Sequence, residues 1–539
     1  MDRMDHLHAS LASTPSGSNS PTASIFNLPP TPTHNTPDPR ILIIMTGGTI
    51  CMTPTPSGLA PARGFLDTCL RPRPVFNDMT APITLPIIPH SGATIQTASL
   101  RTPPSKHGKR IRYCALEFNP LLDSSSIDAR GWGLIAEAIQ LNYTLFDGFV
   151  VLHGTDSLAY TCSALSFMCS DLGKPVVFTG SQSPMSQLYS DATDNLLGAL
   201  IVASHYMIPE VCLFFADKLF RGNRTQKVNA HDFAAFATPN LPPLARMGVS
   251  VKVNWELVHR PRELRRFRVR TKLPETSHVA CLRVFPGMLP AMVRGVLGLE
   301  GLRGLVLETF GSGNAPGDEE LLRVLREACA RGIVIVSVTQ CQIGSVTPLY
   351  ASGTALALAG VVSGLDMTSE AALTKLAVLL ANPELTPADI RVQMSQSLRG
   401  ELTEVKTLSF RHPDLGVAEA VIRGGVEEVV DVLERGEEGV LVNWQGGEGD
   451  TLLHLVVRRA VEGGEEEDGK EAEVLRELLQ RGASVHIRNK EGRTAFGLAC
   501  EGGWEVGRKL LEESGAHLAV EEVGQEGGGN AGSAGTTGN

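Results

Sequence analysis

From Arg40 onward, short apolar runs rich in β-branched residues alternate with stretches of helical periodicity. The runs "RILII", "GFVVL" (Gly148–Leu152), "KPVVFTG", "EVCLFFA", "GLRGLVLETFG" and "ARGIVIVSVTQ" predict buried strands. Between them "DEELLRVLREACA" predicts an amphipathic helix. A second helix is predicted in "SLAYTCSALSFMCSDL", where these apolar residues recur at helical spacing: Leu158, Cys162, Leu165, Met168 and Leu172. This alternation predicts an α/β fold with mostly parallel sheets covered by helices on both faces.

A Pro- and Arg-rich stretch at about 240–275 interrupts the alternation and predicts two α/β lobes. We place the N-terminal lobe at 40–250, a linker at 251–275 and the C-terminal lobe at 276–408. Residues 1–39, which are rich in Ser, Thr and Pro, are predicted to be a disordered tail.

The pattern changes after about residue 410, where helical segments carry the recurring elements "G-x-T-x-x-x-L" and "LL-x-x-GA". Residues 412–518 are therefore predicted to form an all-α array of about three ankyrin repeats, which stack to bury what each cannot bury alone. Gly449 and Gly492 begin two copies of the first element. They lie about ten residues further apart than the roughly 33-residue ankyrin period, and the acidic insert "EGGEEEDGKE" accounts for the excess. Residues 519–539 are Gly-rich and are predicted to be a second disordered tail.

Composition narrows the range of partners and cofactors. The 539 residues suffice for two or three domains, and 42% hydrophobic content is a globular value. A net charge of −10 without a Lys/Arg run argues against a nucleic acid or an anionic membrane as partner. Ten cysteines without a CxxC pair favour reduced thiols over a disulfide framework. The 14 histidines include no HExxH and no Cys/His zinc spacing, so we expect no metal and no other cofactor.

The sequence also lacks the hydrophobic segments typical of secretion and membrane insertion. Its N-terminus has no basic region followed by an apolar one, and no stretch approaches the roughly 20 apolar residues of a spanning helix. We therefore expect a cytoplasmic protein without a membrane partner.

The stretch "MTGGTI" (Met45–Ile50) places two glycines and two threonines directly after the first predicted strand. A Walker A loop would need GxxxxGK[ST], whose lysine is absent here. A dinucleotide fingerprint would need a third glycine opening a helix, whereas the following "CMTPTPSG" predicts a loop. A tight structural turn and a catalytic loop remain as interpretations.

A second stretch, "HGTDSLAY" (His153–Tyr160), repeats this design of strand, glycine and threonine. Both threonines would lie at the carboxyl ends of parallel strands, which is the edge where α/β sheets bind ligands. By itself "GTDS" is also a good helix start, with Thr155 or Asp156 capping the helix that begins near Ser157.

Together the two stretches resemble the bacterial-type L-asparaginase family, specifically its cytosolic type I branch. The resemblance covers about residues 40–405 and continues in order through "LEFNPLLDSSSI", "LGKPVVFTGSQSPM", "RGNRTQKVNAHDFAAF", "TFGSGNAP" and "GLDMTSEAALTKLAVLL…LRGELT". A core of this kind before ankyrin repeats also resembles a group of eukaryotic lysophospholipase/asparaginase proteins. The resemblance implies a two-lobed asparaginase-like fold and an amidohydrolase. Its reaction would convert L-asparagine and water into L-aspartate and ammonia through an acyl-threonine ester.

The family motifs imply roles for matching residues of this chain. Thr49 in "TGGTI" matches the nucleophile, and Thr155, Asp156 and Lys227 match a Thr–Lys–Asp group. The implied substrate-binding residues are Asp123 and Ser124 in "LLDSSSI", Asp156, and Asn314 in "TFGSGNAP", which would reach the adjoining subunit's substrate. A threonine hydroxyl needs a neighbouring base to become a nucleophile, and a lysine is a base only in its neutral form, which desolvation favours.

Some positions depart from the family pattern. The segment "CMTPTPSGLAPARGF" lacks the tyrosine that secreted members carry there, so the group that activates Thr49 is not identified. Ser126 and Ile127 stand where the family has Asp or Asn and then Met. The segment "TQCQIGSV" lacks the acid that secreted members place near the substrate amine. The catalytic set itself is complete, and we therefore expect activity.

Two alternatives stay open. One is a glutaminase or another amidase of the same fold, including the relatives that supply ammonia for tRNA amidation. The other is a non-catalytic ankyrin scaffold, against which the retained catalytic set argues. Lysophospholipase activity has no support, since the sequence contains no GxSxG elbow. The resemblance further implies a homodimer or homotetramer in which a neighbour's C-terminal lobe closes each site. The repeats suggest a protein partner.

Overall fold

The computed structural model describes these residues: 38–56, 58–105, 109–259, 265–271, 273, 278–346, 351–403, 443, 450–463, 469–489 and 491–516. Apart from residues 38 and 39, the predicted tails at 1–39 and 519–539 lie outside the described residues, as does most of the predicted first repeat.

The N-terminal lobe has a large sheet with helices on its faces. Its strands are β1 Arg40–Gly47, β2 Met52–Thr55, β3 Gly58–Pro61, β4 Thr84–Ile87, β5 Ile95–Ala98, β6 Leu100–Arg101, β7 Arg112–Leu122, β8 Gly148–Leu152, β9 Cys169–Ser170, β10 Val176–Thr179, β11 Val211–Phe215, β12 Lys218–Arg221, β13 Gln226–Lys227, β14 Phe236–Ala237, β15 Ala245–Met247, β16 Val251–Val253 and β17 Arg268–Val269. Its helices are α1 Ala129–Asn142, α2 Leu158–Met168 and α3 Ala192–His205.

The main sheet has the order β16-β15-β12-β11-β10-β8-β1-β7-β6. The five strands from β11 to β7 are parallel, and the outer strands add antiparallel edges. In β1, Ile41 and Ile43 pack into one apolar cluster, while Leu42 and Ile44 pack into the cluster on the other face. Burial on both faces explains why this strand is a continuous apolar run, and the predicted mostly parallel α/β fold is confirmed.

The C-terminal lobe has a smaller sheet in which every strand pair is parallel, in the order β18-β19-β20-β21. Its strands are β18 Val279–Arg283, β19 Gly304–Thr309, β20 Val334–Thr339 and β21 Val362–Ser363. Its helices are α4 Pro290–Leu297, α5 Glu319–Ala330, α6 Ala351–Leu358, α7 Ser369–Leu380 and α8 Pro387–Met394.

Buried polar contacts join the lobes where α2 packs on α7. Ser163 and Thr374 share a hydrogen bond of 2.7 Å between their hydroxyls. Arg224 donates from Nη1 to Asp366 Oδ2 at 2.7 Å and from Nε to the Gly400 carbonyl at 2.7 Å, and both ionised side chains are buried. A buried ion pair that lost one partner would leave a charge uncompensated, so these contacts fix the lobe junction strongly.

Three local predictions differ from the structure. The helix in "SLAYTCSALSFMCSDL" ends at Met168 because Cys169–Ser170 pairs with β17 as a strand, which leaves Leu172 outside the helix. The predicted loop "CMTPTPSG" contributes β2 and the start of β3, which form an antiparallel hairpin. The segment 251–275, placed in the linker, contains β16, the last strand of the main sheet, and β17.

The repeat region contributes helices α9 Leu452–Gly463, α10 Lys470–Gln480, α11 Ala495–Glu501 and α12 Glu505–Glu513. These helices share one apolar core. His454 Nδ1 lies 2.7 Å from the Thr451 hydroxyl, and its Nε2 lies 2.9 Å from the carbonyl of Arg493, so one imidazole links α9 to the turn before α11. Thr494 caps α11 by accepting a hydrogen bond from the Gly497 amide.

The repeats contact the N-terminal lobe through aromatic rings. Trp255, which follows β16 and belongs to the lobe core, stacks on His486 with ring centroids 4.4 Å apart and an interplanar angle of 16°. Within the described residues, no helix has the length and apolarity needed to cross a bilayer. All ten cysteines are free thiols.

Candidate active site

The two Gly-Thr loops meet through their glycines. Gly48 has φ +92°, and a Cβ built on it would lie 2.4 Å from the Gly154 nitrogen. A Cβ on Gly154 would in turn lie 2.3 Å from Ser124 Oγ. No side chain fits in either place, because Cβ contacts below 3 Å essentially do not occur. The glycines therefore bring "TGGTI", "HGTDS" and "LLDSSSI" into contact at the carboxyl edge of the sheet.

Three of the predicted catalytic side chains are joined by hydrogen bonds. Lys227 Nζ donates to Thr155 Oγ1 at 2.9 Å and to Asp156 Oδ1 at 3.0 Å. Thr155 is buried, Lys227 is largely buried, and the Asp156 side chain is 66% exposed. The lysine thus sits between a buried hydroxyl and a carboxylate that faces solvent.

Residues of the C-terminal lobe contact the segment of the N-terminal lobe that carries Lys227. Lys227 ends the two-residue strand β13, and the preceding Gln226 donates from Nε2 to Glu370 Oε2 at 3.2 Å. Arg224, three residues before Lys227, makes the buried contacts with Asp366 and Gly400 that join the lobes. The position of Lys227 therefore depends on both lobes.

The helix-cap interpretation of "GTDS" is wrong. Helix α2 begins at Leu158 with Ser157 as its N-cap residue, and no side chain caps it. The Ser157 hydroxyl donates instead to the carbonyl of Ser124. Thr155 and Asp156 instead accept hydrogen bonds from Lys227 Nζ.

The predicted substrate-binding residues Asp123 and Ser124 follow β7 in a tight turn. Ser125 donates to the Asp123 carboxylate from its hydroxyl at 2.7 Å and from its amide at 3.1 Å, and these bonds hold the pKa of Asp123 below its usual range. Asp123 is exposed, whereas Ser124 is buried against Gly154. An exposed, ionised carboxylate beside the Thr155 loop suits an ammonium group.

The predicted nucleophile Thr49 begins a short 3-10 turn directly after Gly48 and is half-buried. Glu117 Oε2 and Oε1 accept hydrogen bonds from the amides of Gly64 and Phe65, at 2.9 and 2.8 Å, and so anchor the chain where the β2–β3 hairpin returns. Asn314 lies in the other lobe, in a turn closed by two backbone hydrogen bonds with Phe310. Its predicted role across subunits stays a prediction.

Sequence reasoning missed Gln182, which follows β10 in "TGSQ". Thr155 Oγ1 donates to Gln182 Oε1 at 3.2 Å. The backbone N–H of Gln182 donates to the buried Asp191 carboxylate, to which Asn195 Nδ2 also donates at 3.0 Å. A signal was present, because "VVFTGSQ" repeats the order of buried strand, glycine and polar residues seen in the other two loops.

His153 packs beneath the surface of the Thr155 loop as a buried, uncharged side chain. It is fully buried, its Nδ1 lies 2.7 Å from the Gly154 carbonyl, and its Nε2 lies 3.0 Å from the Thr161 hydroxyl. Burial lowers the pKa of His153 to about 4. A neutral imidazole with a hydrogen-bond partner on each ring nitrogen has a structural role here and does not carry a proton at neutral pH.

The predicted site residues are partly open to solvent, since Asp123 and Asp156 are exposed and Thr49 and Lys227 are half-buried; we call this surface the groove. A cavity of about 80 Å³ lies elsewhere at the lobe junction, with Cys169, Arg221 and Arg399 among its lining, and none of the predicted site residues lines it. In the part of the chain that the structure describes, no group of three or more His, Cys, Asp or Glu residues has the arrangement of a metal site.

Comparison with known families matches most of the chain. The family model described as "Asparaginase, N-terminal" matches residues 40–259, and "Glutaminase/Asparaginase C-terminal domain" matches residues 278–394. The "Ankyrin repeat" model matches residues 448–490.

Individual proteins agree with this result. The chain is 46% identical over 367 residues to the mouse protein named "60 kDa lysophospholipase", covering 68% of this chain and 63% of that protein. It is 42% identical over 364 residues to "L-asparaginase 1" of Escherichia coli K12, covering 67% of this chain and 98% of that enzyme. The crystal structure of L-asparaginase I from Vibrio cholerae matches with a TM-score of 0.58 at 40% identity, covering 68% of this chain and all of that one. The chain therefore belongs to the asparaginase family of amidohydrolases, and it joins the two-lobed core of that family to an ankyrin repeat.

Proposed function

We propose that the protein is an L-asparaginase that hydrolyses the side-chain amide of L-asparagine to L-aspartate and ammonia through an ester on Thr49. The observation that carries the proposal is the hydrogen-bonded set of Thr155, Asp156 and Lys227 beside the contact of Gly48 with Gly154. That contact supports a place for Thr49 next to this set. A degenerate scaffold would have no need to keep a lysine between a buried hydroxyl and a carboxylate.

The substrate's charged end would be held by the exposed side of the groove. Asp123 and Asp156 offer carboxylates to the α-ammonium group, and Ser124 offers a hydroxyl to the α-carboxylate. Both Asp residues are exposed, and Ser125 keeps Asp123 ionised by lowering its pKa. Charge-assisted hydrogen bonds of this kind fix orientation, which places the side-chain amide over the buried threonines.

In the first step the Thr49 oxygen attacks the amide carbon. The Thr49 proton leaves to a base, the C–N bond breaks, and ammonia departs with the added proton while the acyl group stays on Thr49 as an ester. The negative oxygen of the tetrahedral intermediate would be met by backbone N–H groups of the glycine turns. Each such donor is typically worth about 3 kcal/mol.

In the second step water attacks the ester carbon. Neutral Lys227, bonded to the Thr155 hydroxyl, removes a proton from the attacking water through that hydroxyl. The C–O bond to Thr49 then breaks, the Thr49 oxygen takes this proton from Lys227 by the same route, and aspartate leaves. Asp156 holds the amine of Lys227 in place from the opposite side. The two threonines thus divide the work between attack and proton transfer.

The decisive test is ammonia release by the full-length purified protein with asparagine and, separately, with glutamine. We expect a kcat/KM for asparagine at least about tenfold above that for glutamine. Asp123, Asp156 and Ser124 would fix the α-carbon, and the extra methylene of glutamine would then carry its amide past the position that suits attack by Thr49. The reverse preference would make the enzyme a glutaminase of the same fold. No ammonia from either amide would refute the proposal.

A parallel assay addresses the name of the mouse relative. The full-length protein would be incubated with a lysophosphatidylcholine, and free fatty acid would be measured. We expect none above background, because every part of the proposed site is suited to an amino-acid amide. Fatty-acid release that Thr49→Ala abolishes would show that the same site also cleaves lipid esters.

We further propose that two chains complete each site, as the family resemblance implies. Leu188 is fully exposed and Tyr189 is 80% exposed on the loop after Gln182, where Tyr189 packs on Phe233 with ring centroids 5.2 Å apart. An exposed apolar surface beside the groove fits a second copy of the chain, whose Asn314 would reach the substrate.

This assembly is tested by mixing two inactive variants, Thr49→Ala and Asn314→Ala. Hybrid oligomers would contain a site with both native residues, so activity should return on mixing and subunit exchange. Sedimentation should show a dimer or tetramer. Full activity of Asn314→Ala alone, or a monomer that is active at every dilution, would contradict the shared site.

A further inference from the structure

The Thr155 hydroxyl lies between two partners that compete for its single hydrogen. Lys227 Nζ lies 2.9 Å from Thr155 Oγ1, and Gln182 Oε1, on the loop after β10, lies 3.2 Å from the same oxygen. A protonated lysine can only donate, so the hydroxyl then gives its hydrogen to Gln182. A neutral lysine can accept, and the hydroxyl hydrogen is then drawn toward Lys227.

The orientation of the Gln182 amide is fixed by its surroundings. Its Nε2 donates to the backbone carbonyl of Asp232 at 3.2 Å, and because a carbonyl can only accept, Oε1 must face Thr155. The backbone of the loop is held by the Asp191 carboxylate, which accepts from the amides of Gln182 and Ser183 at 3.0 to 3.1 Å. The acceptor beside Thr155 is therefore built into the loop and cannot turn into a donor.

We propose that Gln182 is a positioning residue that holds the Thr155 hydroxyl hydrogen away from Lys227 and so sets the pH at which Lys227 becomes a base. The inference rests on the proposed function, in which neutral Lys227 draws a proton through Thr155. By accepting that hydrogen, Gln182 stabilises the protonated lysine and delays the active form to higher pH. In exchange it keeps the hydroxyl ordered between turnovers.

Other charged groups near Lys227 stay the same when Gln182 is changed. They are Asp156, bonded to Nζ; Glu370 of α7, bonded to Gln226; and His231 and Asp232 of the loop after β13. Gln182→Leu and Gln182→Glu both lose the Nε2 bond to the Asp232 carbonyl, so the difference between these two variants reports the group that each places beside Thr155.

Two substitutions should move the pH profile in opposite directions. Gln182→Leu removes the acceptor, so the acid limb of kcat should shift to lower pH by about half a unit to one unit, the effect of one ordinary hydrogen bond. Gln182→Glu keeps an acceptor and adds a negative charge beside Lys227, so the limb should shift to higher pH by about one unit. A purely structural role for Gln182 would change yield or thermal stability in both variants without opposite pH shifts.

Gln187→Leu and Gln187→Glu are matched controls on the same loop. Gln187 is exposed and accepts a hydrogen bond from Ser183 Oγ at 2.8 Å, away from Thr155, so its variants should keep the wild-type profile. Kinetics would be measured with full-length folded proteins, asparagine and ammonia detection. If wild type is active and both Gln182 limbs coincide with it or move the same way, the inference is overturned. If wild type releases no ammonia, the proposed function itself has failed.

Discussion

The two edges of the large sheet are built on opposite principles. At the carboxyl edge, Gly48 and Gly154 remove side chains so that backbones touch and polar groups converge. At the opposite edge, formed by the amino ends of the parallel strands, large aromatic side chains fill the space between the sheet and the repeats. Trp255 is 7% exposed, lies near Tyr206 and stacks on His486 of the repeats. One end of the sheet brings polar side chains together, and the other attaches the repeats.

We therefore expect activity to depend on the glycine edge and stability to depend on the aromatic edge. Contacts at the glycine edge are short, directional and intolerant of one added methyl group, so small changes there should abolish activity. Contacts at the aromatic edge are apolar and non-directional, so changes there should lower stability and leave the site alone. Because the repeats dock at the far edge, through Trp255 and His486, they lie away from the predicted site residues.

The largest expected effect is at the predicted nucleophile and its partner threonine. Thr49→Ala and Thr155→Ala should each lower kcat by at least about 10³-fold with an unchanged fold, because each removes a reacting hydroxyl. Thr53→Ala, on the adjacent hairpin, is the control and should keep activity. Near-normal ammonia release by either main variant, with folding checked by circular dichroism, would remove Thr49 and Thr155 from the site.

The next effect tests whether the glycine contact itself is needed. Gly48→Ala should lower kcat/KM by about 100-fold and destabilise the protein by about 1 to 3 kcal/mol, because its Cβ would overlap Gly154. Gly58→Ala is the matched control, since Gly58 also has a positive φ, +113°, but nothing lies within 4 Å of its Cβ. Equal losses in both variants would mean that backbone strain, and not close packing, is the constraint.

A third effect concerns acid stability below the glycine edge. Between pH 6.5 and about 4 an unfolded chain takes up a proton on His153 that the folded chain refuses, so the free energy of unfolding should fall as pH falls through this window. His153→Gln should weaken that dependence, while the exposed His231→Gln should not. Denaturant titrations at pH 7 and 4.5 measure it, and identical slopes in all three proteins would contradict a buried neutral His153.

The smallest effect on activity is expected at the aromatic edge. A chain of residues 40–410, without the repeats, should keep kcat/KM for asparagine within about twofold, because the repeats dock away from the groove. Trp255→Ala should likewise spare kcat/KM while lowering stability by about 3 to 5 kcal/mol, the usual cost of a large buried ring. A folded but inactive 40–410 chain would show that the repeats help to build the site.

Much of the fold followed from local pattern. The apolar run after Arg40 predicted a strand buried on both faces, and Gly148–Leu152 is the observed β8. The predicted alternation gave a mostly parallel α/β core, because strand and helix periodicities are local properties. The end of α2 at Met168 was missed, since it depends on pairing of Cys169–Ser170 with a strand about 100 residues away.

What the sequence by itself determined is the set of loops that meet. Strand, glycine and threonine recur in "MTGGTI" and "HGTDS", and parallel strands must bring their carboxyl ends to one edge. Glycine at those positions is a backbone requirement that can be recognised without coordinates. The pattern alone left a tight turn and a helix cap open for these loops, and the roles of Thr49, Thr155 and Asp156 were implied by the resemblance to the asparaginase family.

What only the tertiary structure decided is how distant polar groups pair and where the repeats attach. Gln182 takes the other side of the Thr155 hydroxyl, and Trp255 meets His486. The family resemblance implied that Lys227 belongs with Thr155, but the 2.9 Å contact between Nζ and Oγ1 is a product of the tertiary structure. Each contact joins residues far apart in the chain, where the geometry depends on the packing of whole elements. Local periodicity does not predict this geometry. A hydrogen bond of about 3 Å forms only when all the elements that lie between its two residues are packed in their final positions.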